Sequence, residues 1–405
     1  MPSPYFFLRP ILAADRSWVA LDWQSADPLA TQGSDLVRSF TEAAAEPLAN
    51  MMSVVALINP ANLERDEFVD GFDPSQIIFV LPGSSLENPK TLERCKQLHA
   101  QGNRFCLQLD SADRLRKVPV ALFDYLCLDA SFARQVMSAA DLSYAGDAGF
   151  QKIATNVSTH EMFRWLSDKG IDWSSSQFLS ARDPQLGNEP DLTRLKLLKL
   201  LNLVKHDGDT REIEAIFREE PKLSYNLLRL VNSVAVGART KISSFSQAIA
   251  ILGRRQLQRW LQLLIYANNL DGGNAPNPLM QLAAARGRQM ELLCGAIEPK
   301  PDIPNLCDNA FMTGLFSLLD ILINLPMSEI LKELPLEDEV VDALKTPVRG
   351  GVLGQVLSAI IAGESDNFSA AETILSDLGL SPAVHAKSQV TALYWAARIN
   401  MENQD

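Results

Sequence analysis

The N-terminal part of the chain alternates short apolar runs with amphipathic stretches. The amphipathic segments, for example 88–100 and 159–169, place apolar residues at the spacing of one helix face. Strand and helix in alternation are typical of a parallel sheet with crossover helices. A complete eightfold barrel typically needs about 250 residues, so this region of about 180 residues predicts an incomplete α/β TIM-like barrel. The apolar runs with the length and composition of strands are 17–23, 51–58, 76–81, 104–109, 125–128 and 152–154.

The pattern changes near residue 190. The segment from Ser180 to Pro190 combines turn-forming residues and two prolines with hardly any apolar content, which favours a linker at 183–190. Beyond it the strand pattern nearly disappears, and Leu192, Leu195 and Leu198 begin a long series of apolar positions at helical spacing. We therefore predict a barrel domain at 1–182 and an all-α, HD-like helical domain at 191–405. The later helices are predicted at 211–219, 222–232, 246–252, 254–268, 278–297, 303–324, 351–362, 370–378 and 381–400.

Composition supports two ordinary globular domains. The chain has 405 residues, 47% of them hydrophobic, which is more than one core usually holds. Its 37 Lys and Arg against 49 Asp and Glu give a formal charge of -12, which argues against nucleic acid as a partner of the whole surface. The cysteines form no CxxC pair and lie mostly in apolar runs, so we predict buried, reduced thiols of a cytosolic protein. They are Cys95, Cys106, Cys127, Cys294 and Cys307.

The sequence contains no pattern that predicts export or membrane insertion. Its first residues lack a basic region, a long apolar core and a small-residue cleavage site. The most apolar later stretches, 315–325 and 352–362, are about half the roughly 20 residues that span a bilayer. We predict a cytoplasmic protein with no membrane contact, in which both stretches are buried helices.

Four stretches of the barrel region resemble EAL domains, the barrel phosphodiesterases that hydrolyse cyclic di-GMP. They are Leu8 to Ile11, Val19 to Trp23, Leu57 to Asn59 and Lys152 to Thr159, and the resemblance covers about residues 5 to 185. It implies two metal ions held by several carboxylates and one Asn, because phosphodiester hydrolysis needs charge neutralisation and a metal-bound hydroxide.

Few of the family's functional positions retain their chemistry here. Asp22 stands where the family has the Glu of its name motif, Asn59 matches the metal-binding Asn, and Asp129 also survives. The Glu of the next strand falls at Val80, whose aliphatic side chain cannot bind a metal. We therefore predict a catalytically inactive domain without metal or cofactor, in which Asp22 and Asp129 are solvated or capping residues. Neutral residues also replace the family's Asp-Asp pair (Gln108 and Leu109), its active-site Lys (Cys127) and its late Glu (Ser158).

The helical half resembles HDOD domains. The resemblance rests on the run from Glu219 to Ser233, on Lys241 to Ser244 with Ala248 to Gly253, on Arg286 to Glu291 and on Ala310 to Leu315. It spans 191 to about 400, and EAL followed by HDOD is a known bacterial signalling arrangement. The HDOD family resembles metal-dependent HD phosphohydrolases in fold, lacks their metal ligands and is regarded as regulatory.

The histidines do not form a recognisable catalytic or metal site. His206 and Asp207 make an HD dipeptide, but the only other histidine after residue 190 is His385, and an HD metal site needs further His and Asp ligands. We predict that His206 belongs to a helix end and loop. His99 and His160 lie on predicted barrel helices, and we predict that they are surface or packing residues.

A basic segment is the remaining candidate for binding. No acidic residue occurs between Pro221 and Leu270. Such a surface can bind a nucleotide phosphate, an acidic partner or RNA; alternatively, its cations pair with acidic residues elsewhere or solvate helices. Asn232 falls at a predicted helix end, where a capping role is favoured over ligand contact. The candidate interaction residues are Lys222, Arg229, Asn232, Lys241, Arg254, Arg255 and Arg259.

Three functions follow from these patterns. The leading hypothesis is a non-catalytic signal-transduction protein, linked to cyclic di-GMP-type signalling, that binds a signalling partner, a second copy of itself or an anionic ligand. The second is an active cyclic di-GMP phosphodiesterase. The third is a sensor that binds a nucleotide or RNA through residues 222–259, although nucleic acid is disfavoured by the overall charge.

Overall fold

The computed structural model describes residues 4–185, 259, 262, 277–332, 334 and 336–399. Within 4–185, eight strands form a closed barrel in which each strand pairs with its neighbours in chain order and the eighth returns to the first. The second to eighth strands are parallel, whereas the first runs antiparallel to both the second and the eighth. The strands are β1 (Phe7–Ala13), β2 (Trp18–Gln24), β3 (Ser53–Leu57), β4 (Ile77–Pro82), β5 (Arg104–Leu109), β6 (Tyr125–Asp129), β7 (Gln151–Thr155) and β8 (Trp173–Ser175).

The predicted α/β TIM-like fold is confirmed. The barrel is closed, however, whereas the short length of the region had favoured an incomplete barrel. Closure within so short a segment is achieved because β1 and β2 form a hairpin, which needs no crossover helix. In addition β8 has only three residues. All six predicted strands are present; β1 and β8 are the two that the pattern did not predict.

Short helices connect the parallel strands. Several begin at a side chain that accepts backbone N–H groups, as Asn88 does for α4 and Thr159 for α8. The predicted helices at 88–100 and 159–169 correspond to α4 and α8. The helices are α1 (Gly33–Glu42), α2 (Glu46–Met51), α3 (Asp66–Val69), α4 (Pro89–Ala100), α5 (Ala112–Leu115), α6 (Ala130–Gln135), α7 (Ala139–Asp147) and α8 (His160–Asp168).

The interior of the barrel is an apolar core. Inward side chains of successive strands pack together, as expected when residues alternate between the two faces of a strand. The core also contains two of the predicted buried thiols, Cys106 and Cys127. The buried members of this cluster are Ile11, Ala20, Val55, Ile78, Val80, Cys106, Tyr125, Cys127 and Ile153.

The helices predicted at 278–297, 351–362, 370–378 and 381–400 are present. Those predicted at 211–219, 222–232, 246–252 and 254–268 lie outside the described residues, apart from positions 259 and 262. The helix expected at 303–324 is broken at Ser317, whose hydroxyl accepts from Arg286 at 2.6 Å and donates to the Gly314 carbonyl at 2.7 Å. Such side-chain bonds compete with the helical backbone ladder. Two further helices, Met327–Ile330 and Asp338–Lys345, were not predicted. The described helices are α9 (Pro278–Ala296), α10 (Leu306–Phe316), α11 (Leu319–Ile323), α12 (Met327–Ile330), α13 (Asp338–Lys345), α14 (Gly351–Glu364), α15 (Phe368–Asp377) and α16 (Pro382–Ala397).

Two compact units divide the chain. One contains Met1–Asp183 together with Ile361–Val390, and the other contains Pro184–Ile360 and Thr391–Asp405. The sequence-based division assigned all of 191–405 to one helical domain, whereas residues 361–390 pack with the barrel. We call residues 361–390 the strap. The linker predicted at 183–190 lies outside the described residues from position 186 onward.

The strap completes the side of the barrel at β1. Strand β8 pairs only with Ile11–Ala13, so the first half of β1 has no strand beside it there. The Gln389 side chain bonds the backbone of Leu8 instead, accepting from its N–H at 2.9 Å and donating to its carbonyl at 3.3 Å. The Tyr5 hydroxyl donates to the Leu380 carbonyl at 2.6 Å.

The second unit contains a close helix pair. A Cβ atom at Gly287 would lie 2.8 Å from the Phe311 carbonyl oxygen, and one at Gly314 would lie 2.7 Å from that of Arg286. Glycine at both positions therefore lets α9 and α10 approach backbone to backbone. Cys294 is buried here and Cys307 half-buried. No helix among the described residues is long and apolar enough to span a membrane.

Candidate functional site at the mouth of the barrel

The carboxyl ends of the parallel strands meet at one end of the barrel, which we call the mouth. In barrels of this kind the polar residues that act on ligands come from this end. Asp22 lies near the end of β2, Asn59 follows β3 and Asp129 ends β6. The fold therefore carries to the mouth all three residues that the resemblance to EAL domains singled out.

Asp22 forms a buried ion pair with Arg9 on the adjacent strand. Arg9 and Asp22 are register partners in the β1–β2 hairpin. The Arg9 Nη2 atom donates to Asp22 Oδ2 at 2.7 Å, and both side chains are less than a tenth exposed. The other oxygen of Asp22 accepts from Gln24 Nε2 at 2.7 Å. Both carboxylate oxygens of Asp22 are thus engaged by the protein's own donors.

Asn59 and Asp129 stabilise local turns. The Asn59 side chain accepts from the Ala61 N–H at 3.0 Å and donates to the Leu29 carbonyl at 2.8 Å. Asp129 caps α6 by accepting from the Phe132 N–H at 3.0 Å, and its second oxygen accepts from Asn156 Nδ2 at 2.8 Å. These bonds give each side chain a structural role in its loop.

The neutral replacements lie where the resemblance placed the remaining functional groups. Val80 and Cys127 face the apolar core of the barrel, at 4% and 5% exposure. Burial in this core keeps the Cys106 thiol protonated, since desolvation raises the pKa of Cys106 well above its usual value. Gln108 is half-buried beside Cys127 in the β5–β6 ladder. Ser158 is exposed in the loop before α8.

This donor set does not fit a pair of divalent cations. Metal ions of that kind are held by several oxygen ligands, but Asp22 already binds a guanidinium group, which would repel a cation beside it. Among the residues that the structure describes, no group of three or more His, Cys, Asp or Glu side chains is arranged to hold a metal ion.

The mouth contains three residues that the sequence patterns did not single out. Arg9 also pairs with Asp366 of the strap. The Gln177 Nε2 atom, just after β8, donates to the second oxygen of Asp366 at 3.1 Å. A charged residue inside the apolar run of β1 was the available signal for Arg9. Asp366 had none, because its role depends on a contact across 357 positions of the chain.

Comparison with known families identifies the helical part. Residues 192–334 match the HDOD domain. The chain contains an HDOD domain. This confirms the resemblance to HDOD domains over those residues, and the match ends before the strap begins.

Two curated proteins are related over most of the chain. One is the uncharacterized protein YuxH of Bacillus subtilis, 27% identical over 286 residues that make up 67% of each protein. The other is the cyclic di-GMP phosphodiesterase CdgJ of Vibrio cholerae, 28% identical over 249 residues, 61% of this chain. The match spans only 56% of CdgJ.

Two of the solved structures that are similar to the chain each cover about two fifths of it. The EAL domain of Mycobacterium smegmatis DcpA is 17% identical, with 42% of this chain and 89% of that chain covered and a TM-score of 0.34. Klebsiella pneumoniae BlrP1, in a manganese and cyclic di-GMP complex, is 16% identical, with 43% of this chain and 54% of that chain covered and a TM-score of 0.36.

Six of the seven candidate interaction residues, which are five basic residues and one asparagine, lie outside the described residues. These are Lys222, Arg229, Asn232, Lys241, Arg254 and Arg255. Arg259 is described, and its Nη2 atom contacts Glu291 and, at 3.0 Å, Asp308. Its guanidinium also lies 4.8 Å from the ring centre of Phe311. Arg259 therefore joins α9 and α10 inside the HDOD domain, which is the ion-pairing alternative considered for this segment.

The described histidines lie in packed or structural positions. His206 lies outside the described residues. His385 is buried on α16 against Tyr5 and Phe7. Its burial lowers the pKa of His385 to about 4, although the backbone of Phe6 acts in the opposite direction. The ring of His160 is buried against Phe178, and His99 lies within 3.4 Å of Asp124.

Proposed function

We propose that the chain is a non-catalytic signal-transduction protein of the cyclic di-GMP type, which acts by binding a protein partner or an anionic ligand. The observation that carries the proposal is the buried Arg9–Asp22 pair at the mouth of the barrel. It puts a positive group on the carboxylate that matches the name motif of EAL domains.

The charge of Arg9 is maintained in this position. Burial alone would lower the pKa of Arg9, but the carboxylates of Asp22 and Asp366 more than offset it and raise the pKa. The guanidinium thus stays protonated. Metal-assisted hydrolysis needs cations that polarise the phosphate and lower the pKa of a bound water. A fixed guanidinium does not generate hydroxide, so the mouth supplies electrostatic binding without the nucleophile.

The HDOD domain supports a regulatory role, because the family resembles HD phosphohydrolases without their metal ligands. CdgJ, by its name, acts on cyclic di-GMP, which supports the same class of signal for this chain. The location in the cytoplasm, a signalling partner and self-association stay predictions.

An active phosphodiesterase is the second candidate, and the name of CdgJ favours it. Against it stand the residues of the mouth, where Val80 and Cys127 belong to the apolar core and Asp22 is paired. Binding of nucleotide or RNA by 222–259 rests on residues outside the described part, apart from Arg259, whose contacts are to Glu291 and Asp308.

A manganese titration tests the proposal. We expect metal-free, full-length protein to bind no stoichiometric Mn²⁺ at the barrel, because the one buried carboxylate there is neutralised by Arg9. Free Mn²⁺ can be followed by electron paramagnetic resonance. Asp22→Asn and Asp27→Asn, the latter an exposed acid after the same strand, should give the same curve as the parent. Stoichiometric binding that only Asp22→Asn removes would contradict the proposal.

A further inference from the structure

We propose that the strap closes an oxyanion site at the mouth of the barrel. The Asp366 carboxylate binds Arg9 and Gln177 there, in the place that two oxygens of a phosphate ester would otherwise take. The inference rests on the proposed function, since a barrel that binds without hydrolysing can be regulated by access alone. Asp366 then acts as an internal competitor of an anionic ligand.

Asp366 is held as a bound carboxylate would be. One oxygen accepts from Arg9 Nη1 and the other accepts from Gln177 Nε2 at 3.1 Å. Arg9 is 8% exposed, whereas the Asp366 side chain is 40% exposed. The positive group of the site, Arg9, is therefore buried, whereas the side on which Asp366 lies is open to solvent. Charge-assisted bonds from a guanidinium are the usual means of binding carboxylate and phosphate groups.

Only two donors hold Asp366, and a phosphate ester can use both. The guanidinium of Arg9 contacts Asp366 through Nη1, since Nη2 donates to Asp22, and Gln177 Nε2 adds a neutral donor. A phosphate ester presents two non-bridging oxygens that share one negative charge, much as a carboxylate does, so it can accept from the same two donors. The open site therefore suits a phosphate group.

The turn that delivers Asp366 is short and unfavourable. Asp366 has φ of 62°, a left-handed conformation that is uncommon for a residue with a side chain. It lies between the end of α14 at Glu364 and the start of α15 at Phe368. The Asp366 carboxylate thus lies on a short turn between two helices, and a local rearrangement of this turn moves it away from Arg9.

Aromatic packing holds the closed state next to this turn. The ring of Phe7 stacks on that of Phe368 with centres 5.0 Å apart. Arg9 lies 5.7 Å from the centre of the same Phe368 ring. A Cβ atom at Gly363 would lie 2.6 Å from Phe7 Cδ1. A methyl group at this position would therefore clash with Phe7 and push the strap away from β1.

The test measures binding of cyclic di-GMP and of inorganic phosphate to full-length protein by isothermal titration calorimetry in EDTA. Chelation removes any metal-dependent hydrolysis, so failure of this inference is separate from failure of the proposed function. Asp366→Asn removes the competing charge, and we expect it to bind cyclic di-GMP about tenfold more tightly than the parent. Asp377→Asn, an exposed acid on α15, is the matched control and should bind like the parent.

Two further variants keep the test decisive. Gly363→Ala leaves every charge in place and should also tighten binding, which covers the case in which Asp366→Asn fails to fold. Gln177→Ala in the Asp366→Asn background should remove most of the gain. Tightening for both probes assigns the site to phosphate groups in general, and tightening for cyclic di-GMP alone assigns it to the dinucleotide. Equal affinities of parent, Asp366→Asn and Gly363→Ala, each shown to be folded by its thermal melt, would overturn the inference.

Discussion

Replacement of Arg9 by methionine is expected to lower the free energy of unfolding of the barrel unit by about 3–5 kcal/mol. The substitution leaves Asp22 as a charge that is only 7% exposed and has lost its cation. Removing one member of a buried pair is costly because the remaining charge is neither solvated nor neutralised. Urea unfolding followed by tryptophan fluorescence measures this loss in unfolding free energy. The tryptophans of the unit are Trp18, Trp23, Trp165 and Trp173.

Two controls define this result. Arg38→Met removes an exposed arginine that pairs with Asp35 on the same helix, and it should cost less than about 1 kcal/mol. Asp22→Asn combined with Arg9→Met should recover part of the loss, because no uncompensated charge remains. A loss for Arg9→Met no larger than that for Arg38→Met would show that the mouth does not depend on the buried pair.

The stability of the same unit is expected to fall by about 2 kcal/mol between pH 7 and pH 5 because of His385. Its pKa is about 4 in the folded chain against 6.5 as the ordinary value. Below pH 6.5 the unfolded chain binds a proton that the folded chain does not. Stability contributed by the neutral ring is therefore complete above pH 6.5 and is lost progressively as the pH falls towards 4.

His385→Phe provides the comparison, since it keeps a ring against Tyr5 and Phe7 and has no proton to bind. The difference between the parent and His385→Phe in urea unfolding free energy should change by about 2 kcal/mol over this range. Parallel pH profiles of the two proteins would mean that His385 is protonated equally in both states.

Sequence patterns were sufficient for the strands whose apolar residues form a continuous run. They failed for β1, where Arg9 and Pro10 interrupt the run, and for β8, which has three residues. Both strands are defined by their pairing rather than by composition, β1 with β2 and β8 with β7 and β1. The same holds for the strap, because amphipathic helices at 370–378 and 381–400 reveal a buried face without indicating that it packs on a strand more than 350 positions away.

The sequence indicated which residues of the site differ from those of EAL domains, but it did not indicate that Arg9 pairs with Asp22. The sequence alone identifies Val80 as an aliphatic side chain that cannot bind a metal and Cys127 as a neutral residue in place of the family's Lys, and both lie in the apolar core. The partner of Asp22 could not be found in the same way, since a lone arginine in a strand pairs with whichever carboxylate the register places beside it. Register depends on the hairpin as a whole.

We propose that the barrel does not hydrolyse cyclic di-GMP. Single-turnover product analysis tests this, with full-length protein in excess over cyclic di-GMP and with Mg²⁺ or Mn²⁺ present. We predict that no linear product forms above the rate of the protein-free blank. Metal-dependent product formation that Asp22→Asn abolishes and Asp27→Asn preserves would show instead that the barrel is an active phosphodiesterase.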